Sequence, residues 1–472
     1  MALLDTHKII RPALEAAPLT AGLCLVITVI AVGVATFVAN FPVIYAGIPA
    51  WLAGALLWRG VPSRSKIQAL VLFCIGAIGA YVGVMAGGGV AWNEAISSNS
   101  GLIALLAAVS FLRLITVPRS DQPLRRAHGP RSAVATLLGV HFFGAVINLP
   151  TVFLMARHMA TNGRLRREQY SLLVKGFAAA AFYSPFFAAM AAALTYAPGA
   201  KFSLLLGFGL PLAGLALLLL SIGIWRGRHG VSKDPPINVA KQPRNMPVQR
   251  FVLERFVPVQ NFGQDFEGYP MNLSSLWVPG VLAAGVLLVH TWQPALSVLG
   301  LISVLAPAVT VITLAARQRP VRADIAQHLQ EGLPAMRSEL ALFLSAGVMA
   351  AGVGSATLAL DIALPFATFG GLEAAILLGG LVGVAVMGVH PVIGISLAAA
   401  LVAPLDPDPS LLASTFLAAW GIGVAVSPFS ALNLSMQGGF GIRASDILRW
   451  NMPFGLALLA GASGLLLLHP AG

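Results

Sequence analysis

Charge is scarce in this chain: Asp, Glu, Lys and Arg together fill only 10% of its 472 positions. Soluble domains carry roughly 25% charged residues, so a water-soluble fold is excluded. Cysteine is nearly missing. Cys24 and Cys74 each sit inside an apolar run, and two such residues build neither a disulfide framework nor a metal centre. No Asp or Glu falls clearly inside an apolar run; Glu94, Asp361, Glu373, Asp406 and Asp408 stand at edges or in loops. That disfavours proton antiport through an intramembrane carboxylate relay. There is no Walker lysine motif, so ATP-driven transport by this chain alone is disfavoured. Paired carboxylates, a metal-ligand cluster and a nucleophile–base set are all lacking, so no enzyme activity and no catalytic residue or resident cofactor is expected.

What the chain has in plenty is apolar length. Hydrophobic residues make up 57% of it, and the mean hydropathy is +0.84. Long apolar runs lie near 18–38, 41–58, 67–89, 101–117, 133–160, 171–197 and 203–225, then near 275–290, 295–316, 339–360, 374–402, 411–437 and 451–468. The expected fold is an all-α polytopic membrane protein in the lipid bilayer. The net charge of +12 could suggest nucleic acid, but the basic residues sit in short connections between runs. There they act as topology signals, and no nucleic-acid partner is expected. Lys8 and Arg11 precede the first run, which is too long for a signal-peptide core, so it reads as a retained span.

Loop charge then orients the runs. Basic connections include Arg59/Arg64/Lys66, Arg119/Arg125/Arg126/Arg131, Arg157/Arg164/Arg166/Arg167, the segment 226–273, Arg317/Arg319/Arg322/Arg337 and Arg443/Arg449. Those at 39–50, 90–100, 198–202, 291–294, 361–373 and 403–410 carry little or no positive charge. Alternation fails twice, because 133–160 has two basic flanks and 374–402 has none. Each run must enter and leave on one face. At about 28 residues, or roughly 42 Å of helix, each is too long for one ordinary span and suits two half-depth arms. With two re-entrant hairpins, about eleven spans alternate correctly, amino terminus in the cytoplasm and carboxyl terminus outside. The competing reading is two long, kinked spans whose prolines serve packing.

Both hairpins carry proline breaks, and so does the run after each. Asn148-Leu149-Pro150-Thr151 is followed by Ser184-Pro185-Phe186, and His390-Pro391-Val392 by Ser427-Pro428-Phe429. The spacings nearly agree: 184 − 148 = 36 and 427 − 390 = 37. Proline deletes a helix hydrogen bond, and broken segments at matching places in two halves point to a transporter's binding site. Free N–H groups at such breaks suit anions, and free carbonyls suit cations. The candidate substrate and ion site is therefore Asn148, Pro150, Thr151, Tyr183, Ser184, His390, Pro391, Ser427, Ser430 and Asn433, with Ser396 further along the second hairpin. His390 has two readings, a proton relay or a neutral imidazole bonded to backbone. His141 reads as arm packing, and Lys175 as a side chain snorkelling to the cytoplasmic face. Val321, Ile325, Leu329 and Leu333 mark an amphipathic surface helix, and Val248–Val259 is a second surface segment.

The arrangement resembles the ion transporter superfamily, in particular its divalent anion/sodium symporter branch of elevator-type carriers. Members carry a Ser-Asn-Thr signature at the hairpin tips; here the first tip has Asn148 with Thr151, and the second has His390-Pro391. The resemblance implies an extra span (1–40), a first inverted repeat (41–225), a cytoplasmic linker (226–273) and a second inverted repeat (274–472). It further implies a homodimer in a bacterial inner membrane. The first three spans of each half would form a scaffold, and the hairpins with the last two spans of each half a moving domain. Connections 118–132 and 361–373 would be amphipathic arms. The expected function is secondary transport of a small anionic solute, an organic anion or inorganic oxyanion, coupled to Na+ or H+. A passive channel, a membrane assembly component and an intramembrane enzyme are the alternatives.

Overall fold

The computed structural model describes residues 6–116, 127–227, 262–263, 265–269, 277–360 and 367–469. Val248–Val259, and most of the segment 226–273, lie outside them. The helices run α1 (Thr6–Phe37), α2 (Ile44–Leu57), α3 (Ser63–Met85), α4 (Trp92–Ser97), α5 (Ser100–Ser110), α6 (Arg113–Thr116), α7 (Pro130–Ile147), α8 (Leu149–Met159), α9 (Arg167–Ala180), α10 (Ala188–Tyr196) and α11 (Phe202–Gly227). They continue as α12 (Trp277–Trp292), α13 (Val298–Ala316), α14 (Val321–Gln327), α15 (Arg337–Ala359), α16 (Gly371–Val386), α17 (Pro391–Val402), α18 (Pro409–Val426), α19 (Ala431–Phe440) and α20 (Ala444–Leu467). Among the described residues, nine helical segments are long and apolar enough to cross a membrane. The protein is an all-α integral membrane protein. The runs at 41–58, 171–197 and 275–290 are carried by shorter or broken helices instead.

The chain divides into two units. The first holds α1–α6, most of α12, α13–α15 and residues 395–406. At its centre α3 lies along α15 at backbone contact. A Cβ on Gly352 would overlap the Gly76 carbonyl, and one on Gly79 would stand 2.7 Å from the Gly352 carbonyl carbon. Small residues are what permit such an approach where no hydrophobic force drives helices together. Asn99 Nδ2 donates to the Phe343 carbonyl at 2.6 Å, tying the start of α5 to the same helix. Ile67, Leu70, Val71, Ile75 and Ile78 on α3 stay exposed, as a lipid-facing side requires.

In that unit Val321, Ile325 and Leu329 are half-buried and Leu333 is buried, and Asp324 and His328 are buried beside them. A π turn follows at His328–Gly332, closed by Leu333 N–H to the His328 carbonyl. His328 Nε2 stands 2.9 Å from Ser110 Oγ, and its ring centroid 4.6 Å from that of Phe111.

The second unit holds α7–α11, α16, the start of α17 and α18–α20. Run 133–160 is two helices, α7 and α8, and its two ends meet. At the entry, β1 (Ala127–His128) pairs antiparallel with β2 (Glu267–Gly268). At the exit, Gln169 Nε2 donates to the Met159 carbonyl at 3.2 Å and to the Glu267 carbonyl at 2.9 Å. One short strand thus touches both ends, and α7–α8 is a hairpin. Residues 127–132 form β1 and the start of α7 rather than an amphipathic arm.

The residues flanking run 374–402 lie at the other end of the unit. Gly371, which opens α16, lies against the backbone of Leu466 and Leu467 at the end of α20. Asp408, just past α17, caps α18 by accepting from Leu411 N–H at 2.7 Å and faces His469 at 3.8 Å. The foot of the first hairpin lies instead beside the beginning of α20, where Asn451 Nδ2 donates to Tyr170 Oη at 2.9 Å. From Asn451 to Leu467 the helix rises about 24 Å, so the two hairpins enter the unit from opposite ends.

Candidate functional site

Each hairpin turns at a residue with positive φ: Asn148 (φ 69°) in the first and Gly388 (φ 105°) in the second. Glycine adopts this region freely, whereas asparagine pays roughly 1–3 kcal/mol for it. Local bonds hold Asn148 there. Its Nδ2 donates to the Phe186 carbonyl at 3.2 Å, and Ser184 Oγ donates to the Ala145 carbonyl at the end of α7. Tip and break are therefore stitched by two reciprocal bonds. Pro150 stands in the first turn of α8, where its missing N–H costs nothing.

Thr151, in the same turn, is 6% exposed, and its Oγ1 has no hydrogen-bond partner among the described residues. Tyr183 is half-buried and donates to His141 Nε2 at 3.0 Å. The opposite nitrogen, Nδ1, donates to the Gly176 carbonyl at 3.1 Å, so both nitrogens of His141 are engaged in packing the arm.

The second tip reaches the middle of α18. The ring of His390 meets that of Trp420 edge-on, centroids 5.5 Å apart at 89°. A Cβ on Gly423 would stand 3.1 Å from Ala385 Cβ and 3.9 Å from Pro391 Cγ. His390 Nδ1 accepts from Val392 N–H at 3.3 Å, capping its own helix, and Pro391 opens α17. The first break comes to the same stretch, because Phe182 packs its ring on Gly421. Break one, which holds tip one, and tip two thus meet at Trp420–Gly423.

Ser427, Ser430 and Asn433 lie one turn and more beyond, and their polar groups serve the end of α18. Pro428 lacks the N–H that would bond the Val424 carbonyl. Ser430 Oγ donates to that carbonyl at 3.0 Å and Asn433 Nδ2 at 3.3 Å. Asn433 Nδ2 also reaches the Ala425 and Ser427 carbonyls at 3.3 and 2.9 Å. Ser427 Oγ accepts from Phe429 N–H at 3.2 Å. Sequence reading missed two members of this network. Tyr170 Oη donates to Asn433 Oδ1 at 2.7 Å, and Asn451 Nδ2 bonds both Tyr170 Oη and the Ala425 carbonyl, the latter at 2.7 Å. An asparagine inside an apolar run is the signal that could have found Asn451. Tyr170, beside a basic loop, offers none. Ser396 is fully buried within the first unit.

Lys175 is a correction. It does not snorkel: it is 4% exposed, its Nζ donates to the Trp450 carbonyl at 3.0 Å, and it lies 5.4 Å from the Phe454 ring centroid. The side chain points across to α20, because apolar stem and ring pack there.

No described protein family matches the sequence, and no curated protein matches it. Among solved structures, a YdaH transporter from Alcanivorax borkumensis is similar at a TM-score of 0.38 and 13% identity, over 84% of each chain. A likeness that weak says nothing of the site.

Proposed function

We propose that the protein is a secondary carrier for a small anionic solute, coupled to Na+ or H+, with the second unit as its binding and moving part. The observation that carries this reading is the gathering of two hairpin tips, entering from opposite ends, on one interrupted helix pair. Helix ends at such breaks offer N–H groups to an anion and carbonyls to a cation. Opposed hairpins let one side, then the other, be uncovered while the site itself stays whole, as an elevator motion requires. The grouping of α7–α11 with the hairpin elements, apart from α1–α6, supports the same division between moving and supporting parts. The two hairpins are then the matching members of two inverted repeats.

Thr151 gives the direct test, since its hydroxyl has no partner to lose among the described residues. Purified protein in liposomes is assayed for uptake of [14C]succinate, [14C]citrate and [35S]sulfate under imposed Na+ and pH gradients. Saturable, gradient-driven uptake of at least one probe is expected, and Thr151→Val should cut it about tenfold or more, the size of one lost polar contact to a charged group. Its melting temperature should stay that of the wild type. Fast, non-saturable flux indifferent to gradients would make the protein a channel and end this reading.

A further inference from the structure

Lys175 takes no part in the site described above. It is buried inside the second unit, and α9 leads from it directly to the first break. An ammonium taken out of water costs several kcal/mol unless a carboxylate and further hydrogen bonds compensate. Among the described residues Lys175 has one carbonyl, that of Trp450, and one ring face, that of Phe454. A second cation stands on the same stretch of α20: the Arg167 guanidinium lies 5.6 Å from the Trp450 ring centroid. Among the described residues no carboxylate forms an ion pair with it. From α7 comes His141, engaged with Gly176 and Tyr183; from α8, Arg157 and His158 in its last turn; from α11, Arg226 in its last turn. The helix α18 carries no titratable residue, and α20 has Asp446 and Arg449 in its opening turns, ahead of Trp450.

A neutral amine suits these surroundings as well as an ammonium does, since it keeps N–H donors for the Trp450 carbonyl and has no charge to desolvate. We propose that Lys175 is the proton-binding site of the carrier, protonated in one stage of the transport cycle and neutral in the other. The inference rests on the carrier reading and selects its coupling ion as H+. On release, one N–H bond of the ammonium breaks, its electron pair stays on Nζ, and the proton passes to water admitted when the unit opens. Reloading is the reverse. Lysine fits this task better than arginine, whose guanidinium holds its proton throughout.

Two measurements on the full-length protein separate this from the carrier reading. A potentiometric titration of wild type minus Lys175→Met, in detergent over roughly pH 5 to 9, should show a step of one proton. A flat difference overturns the proposal whatever the transport assays show. Lys175→Arg, which keeps a charge and guards against misfolding of the apolar variant, should show the same difference. In liposomes, an imposed pH gradient should accelerate wild-type uptake of the succinate, citrate or sulfate probe several-fold. Both variants should lose that acceleration while retaining exchange of labelled for unlabelled probe. A one-proton step together with variants that still respond to the gradient overturns the coupling role. A step with no probe carried by the wild type keeps the proton site and sinks the carrier reading.

Discussion

Pro428 leaves the Val424 carbonyl without its helix partner, and the residues around it differ widely in how much they repair. Asn433 is fully buried and supplies donors to three carbonyls while accepting from Tyr170. Ser427 accepts one backbone N–H. Leaving a buried polar group unpaired costs about 1–3 kcal/mol, so Asn433→Ala should destabilise by at least ~2 kcal/mol and Ser427→Ala by under ~1. Thermal melts of the two variants in detergent check this ranking; equal midpoints would mean the network carries no weight. Much of this was out of reach of the sequence. The proline and its near serine were legible, because a break announces itself locally. The partners Tyr170 and Asn451 were not, since 263 and 281 residues separate the members of those bonds. The same holds for Lys175: its place in the chain suggested a loop-facing side chain, and only the neighbouring helix shows which way it turns.

Between elements, backbone approach decides what each helix pair tolerates. The Gly352 Cα faces the Gly76 backbone, whereas Gly354, two residues on, has open space where a Cβ would go. Gly352→Ala should therefore force α3 and α15 apart and cost about 2 kcal/mol or more, as overpacking does. Gly354→Ala should be neutral or slightly stabilising by its helix propensity. Denaturation of both variants by sodium dodecyl sulfate distinguishes the outcomes, and a loss at Gly354 alone would overturn the packing argument. The hairpins illustrate the complementary point. Two breaks were readable from Pro150 and Pro391 with their flanking charge pattern, but the turning residues differ, Asn148 in one and Gly388 in the other. Positive φ is a property of the path that the backbone must take, and no composition rule assigns it to an asparagine.

At the scale of the whole molecule, the proposed carrier puts the feet of the two hairpins, which lie at opposite ends of α20, on opposite sides of the bilayer. In a background where Cys24 and Cys74 are replaced by alanine, Arg164→Cys should react with a membrane-impermeant maleimide only from the cytoplasmic side. Asp406→Cys should react only from the outside. Labelling of both from one side would remove the opposed hairpins and with them the carrier reading. Membrane residence follows from scarce charge and apolar length, which are additive properties of the chain and need no knowledge of contacts. Which polar groups are consumed in repairing breaks, which hydroxyl at Thr151 stays unpartnered, and which lysine is drawn into the interior depend on distant segments meeting. Those meetings are set by the packing of helices hundreds of residues apart, where each carbonyl freed by a proline takes whichever donor the fold brings to it.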